Sequence, residues 1–408
     1  MNMIPIWRRP VYILLSCIFM VMIAYGTRQS FGLFMRPISI QMDWGREAFA
    51  FALATQNLLI GIGAAIAGIL TSRWGAIKTI TLGGSLYALG LILMSLSETP
   101  KAIFFSSGIL AGLGLSGCGV PILAGVVGQI APKNVRTTWI GLITGAATGG
   151  QILILPVTQF LLNEFDWTIT ALVMSIFAIA IVPIALSMHF AHAAIENKNN
   201  PQIQPIFVVL KEAIRHKGYM FLTFGFFICG FQIQFIGSHL PAYLVDSGTR
   251  PDWGAMALML VALFNMIGSW CCGWLGDRYK KKYVLSILYT LRSVLIIGFI
   301  LLPISPLTIV IFSAGVGLTW LGTLPLVSGI LADVFGIRHL AMLFGIVYCG
   351  HQLGAFTGVW LGGFIFDYLG SYASIWQTAI ILGFVNAIIH IKINDKPIQR
   401  IRNNNQLN

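Results

Sequence analysis

Twelve long apolar runs constrain this chain more than any other feature of its sequence. A transmembrane helix needs about 20 predominantly apolar residues. Charged residues make up only 9% of the chain, whereas soluble proteins have about a quarter. The runs cover residues 11–36, 47–71, 77–97, 101–125, 137–162, 167–190, 218–244, 253–275, 283–303, 306–331, 338–367 and 371–391. We therefore predict an all-α membrane protein with twelve transmembrane helices.

Basic residues divide unevenly between the two sides of these predicted helices. If the N-terminus is cytoplasmic, 19 of the 25 Lys and Arg residues fall in cytoplasmic segments and four in outside loops. The remaining two, Arg28 and Arg292, lie within apolar runs. Cytoplasmic loops of membrane proteins carry such an excess of positive charge. The net charge of +12 therefore reflects topology rather than nucleic-acid binding, and we expect both termini in the cytoplasm.

The two halves of the chain repeat each other at a nearly constant offset. Gly26 and Gly230 are 204 positions apart, and Pro121 and Pro325 show the same separation. We therefore predict two pseudo-symmetric six-helix bundles, 1–191 and 218–408, joined by a cytoplasmic linker, 192–217, with a short interfacial helix at 206–215. This parallel duplication resembles the plan of the major facilitator fold, which implies a substrate site near the midplane between the halves.

Arg28 lies in the middle of the first apolar run. An arginine at the centre of a bilayer costs about 2.5–3.5 kcal/mol on insertion scales, so such residues mark functional sites by default. All 13 Asp and Glu residues lie at or beyond the ends of the runs, so the predicted interior is positive. We expect Arg28 to bind an anion in a water-filled cavity. The alternative is a structural arginine bound to backbone carbonyls of a neighbouring helix.

Further polar residues at the depth of the apolar runs complete the candidate substrate site. Gln232 stands 204 positions after Arg28, at the repeat-related position. Tyr348, His351 and Gln352 share one helical face by their spacing. His351 is a candidate proton acceptor, with helix packing as the alternative, and Arg292 is interpreted as structural. The full candidate set is Arg28, Gln151, Gln232, Gln234, Asn265, Trp320, Tyr348, His351 and Gln352. Gln56, Asn57 and His239 lie at similar depth without an assigned role.

A second group of residues at the cytoplasmic ends is predicted to control gating. Residues 273–282 resemble the loop signature of the major facilitators, with Asp277 and Arg278 after a glycine. This arrangement predicts that Asp277 lies near the N-terminus of a facing helix, where the dipole favours a carboxylate. By the repeat, Asp333 is the expected partner of Arg278. The first copy keeps Arg73 but has Ser72 where the acid belongs, so we expect the stronger latch in the second half.

The sequence resembles bacterial relatives of the monocarboxylate transporters and oxalate/formate exchangers. The resemblance rests on residues 27–34, 43–46, 141–156 and 351–356. It implies a secondary transporter of the bacterial inner membrane that moves a small organic anion, with Arg28 where the family carries a basic residue. Asn265 and Ser269 stand where the family has an aspartate and an arginine, so lactate-like proton symport cannot be carried over. Any proton coupling is expected through the substrate or His351.

Other classes of function find less support. The glycine-rich stretch 141–150 resembles a motif of antiporting exporters, although close helix packing explains it equally well. An exporter of amphipathic compounds, with Arg28 structural, is therefore the alternative. No catalytic, metal-binding or phosphate-binding pattern stands out, so we expect no enzyme activity, cofactor or metal. The expected partners are a small anionic substrate and the lipid bilayer, with no nucleic acid, and the protein is expected to be a monomer.

Overall fold

A computed structural model describes residues 10–42, 46–188, 206–250 and 252–398, and the described chain is 88% helical. Six helices form the first part: α1 (Pro10–Gln41), α2 (Arg46–Trp74), α3 (Ala76–Ser95), α4 (Pro100–Ile103), α5 (Ala111–Cys118) and α6 (Val120–Ile130). A π-helical turn, Phe104–Leu110, joins α4 to α5, so that α4–α6 form one interrupted crossing.

Ten further helices follow along the chain. They are α7 (Arg136–Glu164), α8 (Trp167–Ser187), α9 (Ile206–Arg215), α10 (Lys217–Asp246), α11 (Asp252–Arg278), α12 (Lys281–Leu301), α13 (Pro306–Leu318), α14 (Thr323–Phe335), α15 (Leu340–Leu369) and α16 (Ala373–Ile391). α13 and α14 together make a second interrupted crossing, and α9 occupies the residues where a short interfacial helix is predicted. The prediction of twelve membrane-spanning helices is confirmed among the described residues.

Local sequence signals set several of the helix ends. Asp166 caps α8, because its carboxylate oxygen accepts a hydrogen bond from the backbone N–H of Ile169 at 2.8 Å. Ser305 and Thr308 form a reciprocal capping box at the start of α13, directly before Pro306. Gly75 separates α2 from α3 with φ of 88°, a conformation that favours glycine. These signals explain why long apolar segments end where they do.

The described residues of the chain form two compact units. Unit 1 contains those within 1–131, 146–209 and 341–346, and unit 2 contains those within 132–145, 210–340 and 347–408. Each unit therefore includes a part of α7 and a part of α15. The sequence-based boundaries at 191 and 218 describe the repeat and stay a prediction.

The same close helix contact occurs within each unit. In unit 1, a Cβ at Gly26 would collide with the backbone of Gly150, which places α1 directly against α7. In unit 2, a Cβ at Gly230 would overlap the carbonyl oxygen of His351, and one at Gly354 would overlap that of Phe227, which places α10 against α15. Because small residues let helix backbones approach, glycines at the offset of 204 build equivalent interfaces.

Candidate functional site

Arg28 lies half-buried on α1, within unit 1. Its Nη2 donates a hydrogen bond to Asn57 Oδ1 on α2, and its guanidinium carbon lies 5.9 Å from the centre of the Tyr25 ring. Asn57 is the only hydrogen-bond acceptor that the described residues provide to this guanidinium. None of the described carboxylates forms an ion pair with it. The positive charge is therefore held by an amide and an aromatic face, and its remaining N–H groups can bind a ligand.

Unit 1 carries further neutral polar groups on α2, α3 and α7. Gln56, next to Asn57, donates to the carbonyl of Ser107 at 2.8 Å and thereby ties α2 to the π-helical turn. Tyr87 on α3 is fully buried and lies within electrostatic range of Arg28. Gln151 lies half-buried on α7, and the structure gives no contact between Gln151 and Arg28. Sequence reasoning missed the role of Asn57, because spacing alone does not identify which amide faces the arginine.

Arg292 on α12 is fully buried and uses all its donors within unit 2. Nη2 donates to the carbonyl oxygens of Thr319 and Trp320, and Nε donates to the Thr319 hydroxyl at 3.4 Å. Nη1 donates to Gln232 Oε1 at 3.4 Å and to Cys229 Sγ at 3.6 Å. The guanidinium thus neutralises the carbonyl end of α13, where the helix dipole favours a cation. These contacts support the structural interpretation of Arg292.

Asn265 holds the other side of the break between α13 and α14. Its Oδ1 accepts a hydrogen bond from the backbone N–H of Leu321 at 2.9 Å and one from the Ser269 hydroxyl at 3.2 Å. The Trp320 ring is half-buried beside Gly237. Asn265 and Ser269 therefore bind each other and the broken helix, in the places where the resembled family carries a charged pair.

Two of the predicted glutamines differ in how they are used. The Gln232 amide is engaged at both ends, because its oxygen accepts from Arg292 and its nitrogen donates to the carbonyl of Ala379 at 2.7 Å. Gln234, two residues on, is half-buried on α10. The structure thus places Gln232 in a bridge between three helices.

Tyr348, His351 and Gln352 lie together on α15, as their spacing predicts. The Tyr348 and His351 rings stack with centroids 5.7 Å apart, and His351 Nδ1 lies 3.1 Å from Gln352 Oε1. His351 Nε2 is buried and has no hydrogen-bond partner among the described residues. The Phe226 ring on α10 lies 4.8 Å from the His351 ring. His351 is therefore the polar centre of an otherwise aromatic interface.

Asp277 lies at the N-terminus of a facing helix, as its motif predicts. Its carboxylate accepts hydrogen bonds from the backbone N–H groups of Thr137 and Thr138 at 2.9 and 2.7 Å, and from the Thr138 hydroxyl at 2.6 Å. These residues begin α7, and both partners belong to unit 2. Gly273 permits this approach, since a Cβ there would lie 2.6 Å from the Thr137 carbonyl oxygen. The carboxylate therefore satisfies N–H groups that lack partners within α7.

The expected pairing of Arg278 with Asp333 is wrong. Asp333 forms an ion pair with Lys281 at 2.8 Å, while the Arg278 guanidinium carbon lies 3.9 Å from the centre of the Trp274 ring. The Trp274 ring, one helical turn before Arg278, attracts the guanidinium of Arg278. Lys281, at the start of α12, forms the ion pair with the Asp333 carboxylate. The side chains of Arg278, Lys281 and Asp333 line a polar cavity of about 310 Å³ together with Asp277 and Asp395.

The first copy of the motif is built differently. The Ser72 hydroxyl donates to the carbonyl of Gly68 in its own helix at 3.1 Å, and Arg73 is exposed. Ser72 therefore caps no facing helix, and the two copies are asymmetric. Among the residues that the structure describes, no group of three His, Cys, Asp or Glu side chains could hold a metal ion.

The twelve membrane-spanning helices among the described residues, two of them interrupted, define a multi-pass integral membrane protein. The sequence matches the Major Facilitator Superfamily over residues 17–328, and the chain belongs to that superfamily. A small-molecule substrate and the lipid bilayer follow as its partners.

Individual relatives extend the comparison across most of the chain. An uncharacterised MFS-type transporter of Bacillus subtilis (strain 168), YcxA, is 25% identical, over 89% of this chain and 90% of the relative. Monocarboxylate transporter 13 of Bos taurus is 23% identical, over 90% of this chain and 85% of the relative. Monocarboxylate transporter 11 of Mus musculus is also 23% identical, over 86% and 80%.

Solved structures share the fold. The E. coli fucose:proton symporter FucP matches with a TM-score of 0.68 at 16% identity, over 94% of this chain and 99% of that one. The proton:xylose symporter XylE matches with a TM-score of 0.72 at 13% identity, over 97% and 98%. The predicted major facilitator fold is therefore confirmed.

Proposed function

We propose that this transporter moves a small organic anion of the monocarboxylate type by alternating access, with Arg28 as its main charge contact. The observation that carries the proposal is the half-buried guanidinium, which the described residues supply with one amide acceptor and no carboxylate. A buried cation without a fixed counter-ion binds an anion favourably, and a guanidinium can hold a carboxylate by two parallel hydrogen bonds. The monocarboxylate transporters among its relatives support the same substrate class.

The contrast between the two membrane-embedded arginines supports this assignment. Arg292 is fully buried and donates from all three of its nitrogens to protein acceptors, so a substrate would have to displace existing bonds. Arg28 is only half-buried and keeps donors available. We assign Arg28 to the substrate and Arg292 to the architecture of the broken helix. Gln151, Gln234, Trp320 and the Tyr348–Gln352 face remain candidate contacts for the rest of the substrate.

We place the protein in the bacterial inner membrane, with both termini and the linker in the cytoplasm. The uneven distribution of Lys and Arg supports this orientation. Residues 1–9, 189–205 and 399–408, which contain both termini and most of the linker, lie outside the described residues. In this orientation the contact of Asp277 with α7 lies on the cytoplasmic side and is proposed to act as a gate. We expect a monomer.

Binding by the purified protein tests the proposal. Organic monocarboxylates should raise the thermal midpoint of the wild type, because a ligand that binds only the folded state stabilises it. Arg28→Gln should lose this shift, since truncating one side of a buried charge pair costs about 2–5 kcal/mol, or roughly 30- to several-thousand-fold in affinity. Arg28→Lys should bind with reduced affinity, because it keeps the charge without the two-pronged geometry.

Stability without substrate separates the two roles of Arg28. If Arg28 binds the substrate, both variants should unfold close to the wild-type temperature in the absence of ligand. A structural arginine predicts the reverse, with low expression and a lowered midpoint for Arg28→Gln, and would favour the exporter of amphipathic compounds. A correctly folded Arg28→Gln variant that binds the same monocarboxylate with wild-type affinity would refute the proposal.

A further inference from the structure

The short helix α9 presents two different faces. Val209 and Ala213, four residues apart, are fully buried and attach the helix to the protein. On another face Phe207 is 74% exposed and Ile214 is 54% exposed. Large exposed apolar side chains that share one face of a helix attached along its other face indicate a surface that contacts a membrane or another protein.

Basic residues lie directly beside these exposed apolar side chains. Lys211 and Arg215 are exposed, and they follow Phe207 at the fourth and eighth positions, so they share its stripe with Ile214. The acidic residue of the helix, Glu212, is half-buried and lies off this stripe. A stripe that combines aromatic and aliphatic side chains with Lys and Arg is typical of helices that lie in a membrane interface.

The position of α9 in the chain places this stripe next to the bilayer. Only His216 separates α9 from α10, which begins at Lys217 and crosses the membrane. The His216 backbone is extended (φ −83°, ψ 110°), so the chain changes direction between the two helices. Met220 and Phe224, in the first turns of α10, are exposed large apolar side chains on this crossing, and we infer that they contact lipid. The exposed stripe of α9 therefore lies within a few residues of a membrane crossing that carries exposed apolar side chains of its own.

We propose that α9 is a membrane-surface anchor that binds the headgroups of anionic phospholipids. Phe207 and Ile214 insert at the boundary between headgroups and acyl chains, and Lys211, Arg215 and Lys217 contact the phosphates. Charge complementarity and the adjacent lipid-facing surface favour the lipid leaflet over a protein partner as the occupant of this face. Each basic residue near an anionic surface strengthens binding by about fivefold. The sequence predicts only a short interfacial helix in a linker here, and the proposal adds the lipid headgroups that this helix binds.

Spin labelling of the full-length protein in lipid vesicles tests the anchor. A label replaces Phe207 in a variant that lacks the six native cysteines. In vesicles of phosphatidylcholine mixed with phosphatidylglycerol, the label should be accessible to oxygen and protected from a water-soluble nickel chelate. In phosphatidylcholine alone, and after Lys211→Gln with Arg215→Gln, the nickel chelate should gain access. Lys133→Gln, which removes an exposed lysine before α7, is the matched control and should change nothing.

Two results would overturn the proposal. Equal access of the nickel chelate to the label in both lipids would show that the face stays in water. Protection of the label from both oxygen and the nickel chelate in both lipids would show that protein covers it. A second measurement keeps the native cysteines: native mass spectrometry should show several-fold less phosphatidylglycerol retained by the Lys211→Gln, Arg215→Gln variant than by the wild type or Lys133→Gln. Unchanged retention would also contradict the anchor.

Discussion

The contact between Asp277 and the start of α7 gives the sharpest prediction about gating. The two carboxylate oxygens accept three hydrogen bonds, from Thr137 N, Thr138 N and Thr138 Oγ1. We propose that these bonds must break whenever the cytoplasmic mouth opens, because α7 and α11 belong to different predicted bundles. Asp277→Asn should therefore shift the protein toward its inward-open form.

The expected size of the shift follows from the geometry. An asparagine keeps one acceptor oxygen and turns the other into an N–H₂ group that faces backbone N–H donors. At least one hydrogen bond to a charged group is lost, which is worth about 1.5–3 kcal/mol. The interaction of the charge with the dipole of α7 adds roughly 0.3–1 kcal/mol. The latched form should thus lose about 2–4 kcal/mol, or roughly 30- to 1000-fold in the equilibrium between the two forms.

Distance measurements between spin labels provide the assay. Labels at Lys133, just before α7, and at Tyr279, just after α11, occupy exposed positions on either side of the contact. Asp277→Asn should increase the population of long distances. Ser72→Ala is the matched control, because the Ser72 hydroxyl bonds only within its own helix, and its distance distribution should equal that of the wild type.

Two outcomes would refute the reasoning. An unchanged distance distribution in Asp277→Asn would show that the three hydrogen bonds contribute nothing to the closed form. An equal shift in Ser72→Ala would show that any change in this loop loosens the mouth, whatever it caps. In either case the asymmetry between the two copies of the motif would not explain how the cytoplasmic mouth is held closed.

Three further predictions concern proton coupling, a helix contact and a cap. His351→Gln should abolish any proton movement coupled to transport, measured as substrate-driven proton uptake, and coupling that persists in the variant would assign His351 to packing. Gly354→Ala should lower the thermal midpoint by an amount that corresponds to about 1–3 kcal/mol, because its Cβ overlaps a backbone carbonyl, whereas Gly298→Ala, with open space around the Cβ, should not destabilise the protein. The hydrogen bond from the Ile169 backbone N–H lowers the pKa of the Asp166 carboxyl. The capping carboxylate therefore contributes its full stabilisation of the folded state above the ordinary pKa of about 4. This stabilisation is lost as the pH falls through the lower pKa of the folded state. Asp166→Ala should therefore cost about 0.5–2 kcal/mol at neutral pH, and the difference from the wild type should shrink in acid; a difference that stayed constant from pH 7 to 3 would contradict this assignment.

The twelve crossings could be predicted from the sequence, because the bilayer sets the length of every apolar run. The position of Asp277 could also be predicted, since Gly273 and the acid four residues later describe a close approach to a helix end. The interruption at 319–322, between α13 and α14, could not be predicted from the sequence. Its geometry depends on hydrogen bonds that Arg292 donates to the Trp320 carbonyl and that Asn265 accepts from the Leu321 N–H, and both residues belong to other helices. Pro121 and Pro325 near the starts of α6 and α14 were the available local signal, since proline favours the first turn of a helix.

Individual partners were the least predictable part of the site. The repeat predicted Arg278 as the partner of Asp333, and this was wrong because the repeat carries no information about the Trp274 ring or about Lys281. Asn57 was one of several amides at the same depth as Arg28. Only tertiary packing selects among groups of equal polarity.

The two membrane-embedded arginines show how one residue type can serve opposite purposes in one chain. A buried guanidinium is stable if its donors are satisfied either by fixed protein acceptors or by an exchangeable partner such as water or a substrate anion. Arg292 takes the first solution, with two carbonyls, a hydroxyl, an amide and a thiol around it. Arg28 has one amide from the described protein, and its remaining donors need water or an anion. A site that binds and releases a charged substrate requires the second solution, because a fully satisfied cation has no reason to exchange its partners.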